Sequence, residues 1–69
     1  MKFWIARDSN GELWIYDHKP LKNKDIFESD LNLEKCIASE LPSLLFPEVT
    51  FWNSPREVEI KLVNDGISN

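Results

Sequence analysis

Two segments that are apolar on both faces, joined by a tight turn, constrain this chain most. Lys2–Arg7 and Glu12–Asp17 flank the turn Asp8-Ser9-Asn10-Gly11. A strand that is wet on one side alternates apolar with polar residues. Here Phe3, Ile5, Leu13 and Ile15 fall on one face, while Trp4, Ala6, Trp14 and Tyr16 fall on the other. The ribbon therefore needs cover on both sides, from this chain or from a partner.

The turn sets the pairing. Gly11 adopts positive φ without penalty, and Asn10 before it favours a tight reversal. A three-residue loop, Ser9-Asn10-Gly11, with Gly11 in the left-handed bulge position, is a common closure. It places Asp8 opposite Glu12, Ala6 opposite Trp14, Ile5 opposite Ile15 and Trp4 opposite Tyr16. Aromatic then meets aromatic and aliphatic meets aliphatic. A two-residue Asn-Gly loop would set Ile5 opposite Tyr16 and mix the faces, so face matching selects the longer loop.

With 69 residues the chain reads as one small domain spanning 1–69. A domain of this size buries only about 60% of its unfolded surface, so it needs an efficient core, a staple or a partner. Cys36 is the only cysteine and His18 the only histidine, which excludes an internal disulfide and a zinc cluster. A single thiol fits a reducing, cytoplasmic setting. The net charge of −4 argues against a nucleic-acid backbone as partner. No apolar run approaches the length that spans a bilayer, and the amino end lacks a signal-peptide pattern.

Pro20 closes the second strand. Leu21–Ser29 reads as an exposed connection, with Lys19, Lys22 and Lys24 as either a solvated loop or an anion patch. Asp30–Leu41 fits two periods: a helix capped by Asp30 or Asn32, or a strand within Lys35–Ser39. Pro42 and Pro47 confine Ser43–Phe46 to a short helical turn, with Leu44-Leu45-Phe46 as an apolar plug over the hairpin. Asn53-Ser54-Pro55 marks a turn. Val58, Ile60 and Leu62 alternate with Glu57, Glu59 and Lys61 as a strand with one buried face. Residues 64–69 read as a loose tail. The expected fold is α+β but sheet-dominated: a small antiparallel sheet of three or four strands with one short helical turn.

Catalytic chemistry finds little to work with. Cys36 and His18 form a conceivable nucleophile and base, yet no motif surrounds either. Buried cysteine usually serves as a small hydrophobe, and His18 before Lys19-Pro20 reads as a solvated turn residue. Glu57 and Glu59 share a wet strand face with Lys61 nearby. There is no glycine-rich phosphate loop and no acid cluster for a cation. No cofactor is expected. The aromatic residues Trp4, Trp14, Tyr16 and Trp52 form the candidate protein-binding surface, because Trp and Tyr combine large area with a polar handle. The alternative is that Leu44-Leu45-Phe46 or Phe51-Trp52 covers them.

Ile5-Ala6-Arg7-Asp8, Gly11, Leu13, Tyr16 and Lys19-Pro20 resemble the start of short uncharacterised proteins of bacterial prophages and mobile elements. Leu45–Phe51, Asn53-Ser54-Pro55 and Glu57–Leu62 are similar to their ending, and a short apolar strand before the Leu-Phe-Pro-Glu run is common among them. The resemblance covers about half the chain and leaves Leu21–Leu33 unmatched. It implies a phage or mobile-element context and no catalytic residue. The expected function is a non-enzymatic accessory protein that binds another protein, with homodimerisation as its simplest version. Occlusion of a host defence or regulatory protein is the alternative.

Overall fold

The computed structural model describes residues 1–30 and 36–63. Its strands are β1 (Lys2–Arg7), β2 (Leu13–Tyr16), β3 (Leu21–Asn23), β4 (Ile26–Glu28), β5 (Ala38–Leu41) and β6 (Arg56–Glu59). They build a four-stranded sheet in the order β5-β2-β1-β6 and a two-stranded β3-β4 ribbon. Every pairing is antiparallel. No helix occurs among the described residues.

The first hairpin has the register that face matching selects. Trp4 opposes Tyr16, Ile5 opposes Ile15 and Ala6 opposes Trp14. Gly11 sits at φ 95°, its N–H donates to Asp8 O at 2.9 Å, and Asp8 N–H donates to Glu12 O at 2.8 Å. The longer loop is thus closed at both ends by backbone bonds, and Trp4 and Trp14 share a face.

Each face receives its own cover from this chain. On the aliphatic side Ile5 and Leu13 pack under Val49, with Ile15, Leu41 and Val58 at the margin. On the aromatic side Ala6 and Tyr16 pack under Phe27, with Trp4, Trp14 and Phe51 around them. The two cores lie back to back, separated by the thickness of one sheet.

Phe27 arrives by a route that polarity conceals. Leu21–Ser29 is a β-hairpin rather than a plain connection, its strands closed by Lys24-Asp25 with Asn23 opposite Ile26. Lys24 takes φ 55°, a conformation that glycine or asparagine adopts more readily. Five of the six strand residues are exposed and only Phe27 is buried. The turn of the first hairpin anchors the ribbon. Ser9 N–H donates to Asp25 O at 2.9 Å, and Phe27 N–H donates to the buried Asp8 Oδ1 at 2.8 Å.

The third strand of the main sheet lies at Ala38–Leu41. It overlaps the expected Lys35–Ser39 only in Ala38 and Ser39. A helix across 30–41 is excluded by this strand at its carboxyl end, while Leu31–Lys35 lie outside the described residues. The expected helical turn at Ser43–Phe46 is absent. Leu45 N–H reaches Pro42 O at 3.1 Å, but Phe46 turns to φ 50° and ends any helical path. Pro47 adds to this by disfavouring the right-handed helical conformation at the residue before it. The plug is also looser than expected. Leu44 is 90% exposed, and Leu45 and Phe46 stay partly open, so Val49 is the residue that covers. The tail at 64–69 lies outside the described residues.

Candidate functional site

The four aromatic residues singled out above do not share one environment. Tyr16 is 3% exposed and belongs to the core. Its hydroxyl donates to Phe27 O at 3.2 Å. Burial, reinforced by the negative charges of Asp8 and Glu28, pushes its phenol up to about 12. Trp4 and Trp14 are half-buried on the same face, and Trp14 Nε1–H leans towards Glu12 Oε1 at 3.4 Å. Trp52 stands apart at 84% exposure.

Phe51 and Trp52 form a bent aromatic ledge. Their rings meet edge-on at 5.1 Å between centroids, and Phe51 in turn meets Phe27 at 5.8 Å. The inner ring is therefore partly buried against the core while the outer ring faces water. Lys22 Nζ lies 4.2 Å from the Phe51 centroid and 5.5 Å from that of Trp52. Lys19 Nζ lies 5.5 Å from the Trp4 centroid. Two of the three nearby lysines are thus spent on aromatic faces, an attraction of about 0.5–1 kcal/mol each where exposed. The preceding turn is braced as well. Thr50 N–H donates to Asn53 Oδ1 at 2.8 Å, and Asn53 Nδ2 donates to Glu48 O at 2.9 Å.

His18 and Cys36 are brought to the same place, on either side of Asp30. Asp30 N–H donates to His18 Nε2 at 3.4 Å, and the Cys36 thiol donates to Asp30 O at 3.1 Å. With Nε2 accepting, the proton sits on Nδ1 and is given to Asp17 Oδ1 at 2.7 Å. The His18 ring is only 9% exposed and meets Tyr16 edge-on, so it is a packed residue rather than a solvated one. The His18 bond, followed by the Ile37 N–H, holds the Asp17 carboxyl below its ordinary range. Desolvation, with Asp17 and Asp30 adding negative charge, pushes the Cys36 thiol up. That is the opposite of what an attacking thiolate requires. Among the described residues no three His, Cys, Asp or Glu side chains come together as a metal-binding group, and none forms a helix able to cross a membrane.

Sequence reading missed a third feature, on the aliphatic face. An open cleft of about 470 Å³ runs between the sheet and the loop after β5, lined by Ile5, Ile15, Leu41, Leu45, Phe46, Val58, Glu59 and Ile60. Arg7 holds the loop that forms its wall. Its Nε–H donates to Val49 O at 2.6 Å, Nη1 donates to Gly11 O at 2.8 Å and Ser43 O at 2.9 Å, and Nη2 donates to Leu45 O at 2.9 Å and Phe46 O at 3.1 Å. All five guanidinium donors end on backbone carbonyls, which is possible only for a planar fork. Position 7 faces the aliphatic side by parity, and the half-buried arginine there serves the loop instead of solvent.

No protein-family model matches the chain, and neither the curated proteins nor the solved structures contain a match to it.

Proposed function

We propose that this chain is a non-enzymatic protein-interaction module, an accessory protein of phage or mobile-element type, and that the Phe51-Trp52 ledge is its principal contact. The observation that carries this reading is Trp52 itself, 84% exposed yet seated edge-on against Phe51, a partly buried ring that packs on the Phe27 core. An exposed tryptophan held in place loses little freedom on binding and offers large apolar area, which is how binding hot spots are built. The raised Cys36 thiol and the His18 ring committed to Asp17 and Asp30 support a structural role for that cluster instead of catalysis.

Affinity capture from a bacterial lysate tests the proposal, with Trp52→Ala compared against Leu44→Ser. Leu44 is 90% exposed and makes no part of the ledge, so its variant controls for the loss of any surface hydrophobe. The expected result is a partner kept by Leu44→Ser and weakened about thirtyfold by Trp52→Ala, the scale of a hot-spot residue. Equal capture by both variants would overturn the assignment.

A further inference from the structure

We propose that two copies of this chain pair antiparallel along the free edge of β6, with the two-fold axis at Ile60. Among the described residues β6 is an edge strand, since β1 lies on one side of it and no strand lies on the other. The backbone shows which residues face that edge. Ile60 exchanges both bonds with Met1, its N–H reaching Met1 O at 2.7 Å and its carbonyl accepting from the Met1 amino group at 3.1 Å. Residues of even number in this segment are thus turned inward to β1. Glu57, Glu59 and Lys61, of opposite parity, present their N–H and C=O groups outward, because hydrogen-bonded and open positions alternate along an antiparallel strand.

Charge then selects the register. Outward residues must pair with outward residues. Centring the axis on Val58 sets Glu57 against Glu59, and centring it on Glu59 sets that carboxylate against its own copy. Centring it on Ile60 sets Glu59 against Lys61 twice, once on each side of the axis, and Glu57 against the uncharged Val63, so no like charges meet. Opposite charges directly across a ladder favour pairing, and like charges oppose it. The same register puts Val58 against Leu62 and Ile60 against Ile60, all on the aliphatic face. Within one copy Lys61 Nζ already lies 3.9 Å from Glu59 Oε1, so the two side chains share a face, as the alternation requires.

The dimer also covers what a single copy leaves bare. Ile60, Leu62 and Val63 are 47%, 82% and 92% exposed, and no strand opposes Lys61–Val63 among the described residues. Val58 and Ile60 line the aliphatic cleft. Pairing at Ile60 brings Leu62 of each copy beside Val58 of the other and joins the two clefts across the axis. The proposal does not depend on the Trp52 ledge.

Sedimentation equilibrium on the full chain tests it through charge exchange. The Glu59 and Lys61 side chains are 52% and 71% exposed, and circular dichroism verifies that each variant keeps the fold. Wild type is expected to show a concentration-dependent monomer–dimer equilibrium. Glu59→Lys and Lys61→Glu, each alone, place like charges across both hydrogen-bonded pairs, and dissociation constants rise at least tenfold. An equimolar mixture of these two variants restores opposite pairs and is expected to form heterodimers near the wild-type strength. The double variant, with both changes in one chain, recovers homodimers for the same reason. A wild type that stays monomeric at millimolar concentration overturns the proposal. So do single variants that pair as well as wild type, or a mixture and a double variant that fail to recover.

Discussion

Tyr16 joins the folded state to a titration that can be followed at a single residue. It is the only tyrosine in the chain, buried on one side by Phe27 and Ala6 and near the carboxylates of Asp8 and Glu28. Its phenol ionises at about 12 in the folded protein against an ordinary value of 10.0. A group whose folded value is raised gives stability that is complete below its unfolded value and is lost as pH rises through the folded one. Between about pH 10 and pH 12 the protein should therefore lose on the order of 2 kcal/mol from this residue. The phenolate absorbance band, followed beside denaturation midpoints at each pH, checks it. Tyr16→Phe should flatten that alkaline slope at the expense of the bond to Phe27 O, about 1 kcal/mol. A phenolate band that grows in near pH 10 while the fold is intact would show that the hydroxyl is not enclosed.

At the scale of elements, the first hairpin was fully legible because three signals agreed: face matching, Gly11 in the loop and turn length. β6 was legible only in part: Glu57–Lys61 alternate cleanly, but the strand stops at Glu59, its last backbone pair is Ile60 with Met1 where β1 begins, and Ile60 and Leu62 are exposed instead of lying on a buried face. The β3-β4 ribbon was hidden because its strands are nearly all exposed and Phe27 alone is inward, so no periodicity marks it. The loop after β5 misled in another way. Leu44-Leu45-Phe46 reads as a plug, yet proline geometry at Phe46-Pro47 turns the chain away and leaves Val49 as the cover. Of the aromatic residues, Trp52 was grouped with Trp4, Trp14 and Tyr16 by residue type alone, whereas its edge-on contact with Phe51 carried no sequence signal. Arg7 carries the loop, and Arg7→Lys tests that claim. An ammonium has three donors on a flexible stem, so several of the carbonyls now bound lose their partner and the fork geometry is gone. The expected loss is about 1–3 kcal/mol in denaturant unfolding, with faster amide exchange at Leu45 and Val49. An unchanged midpoint would mean that the loop holds itself.

For the molecule as a whole, the decisive fact is that its two cores share one sheet. Ile5, Leu13 and Val49 lie on one side, and Ala6, Tyr16 and Phe27 on the other. Neither is large, and each depends on β1 and β2 being held in place between them. A chain of this length has a total stability of only about 4–10 kcal/mol at typical values per residue. Phe27→Ala removes the main cover of the aromatic side at a cost of about 3–5 kcal/mol, and Phe27 N–H also ties the ribbon to Asp8. The variant should be largely unfolded or close to its midpoint in water, while Phe27→Leu, which keeps a branched apolar group, should fold. The consequence that sets this architecture apart concerns the far face. If one sheet serves both cores, the Leu13 and Val49 methyl resonances must lose their native dispersion in step with those around Tyr16, although neither residue belongs to the Phe27 cluster. Native shifts at Leu13 and Val49 in a Phe27→Ala protein whose aromatic side has melted would mean that the aliphatic half folds alone, and that the hairpin requires cover on only one side.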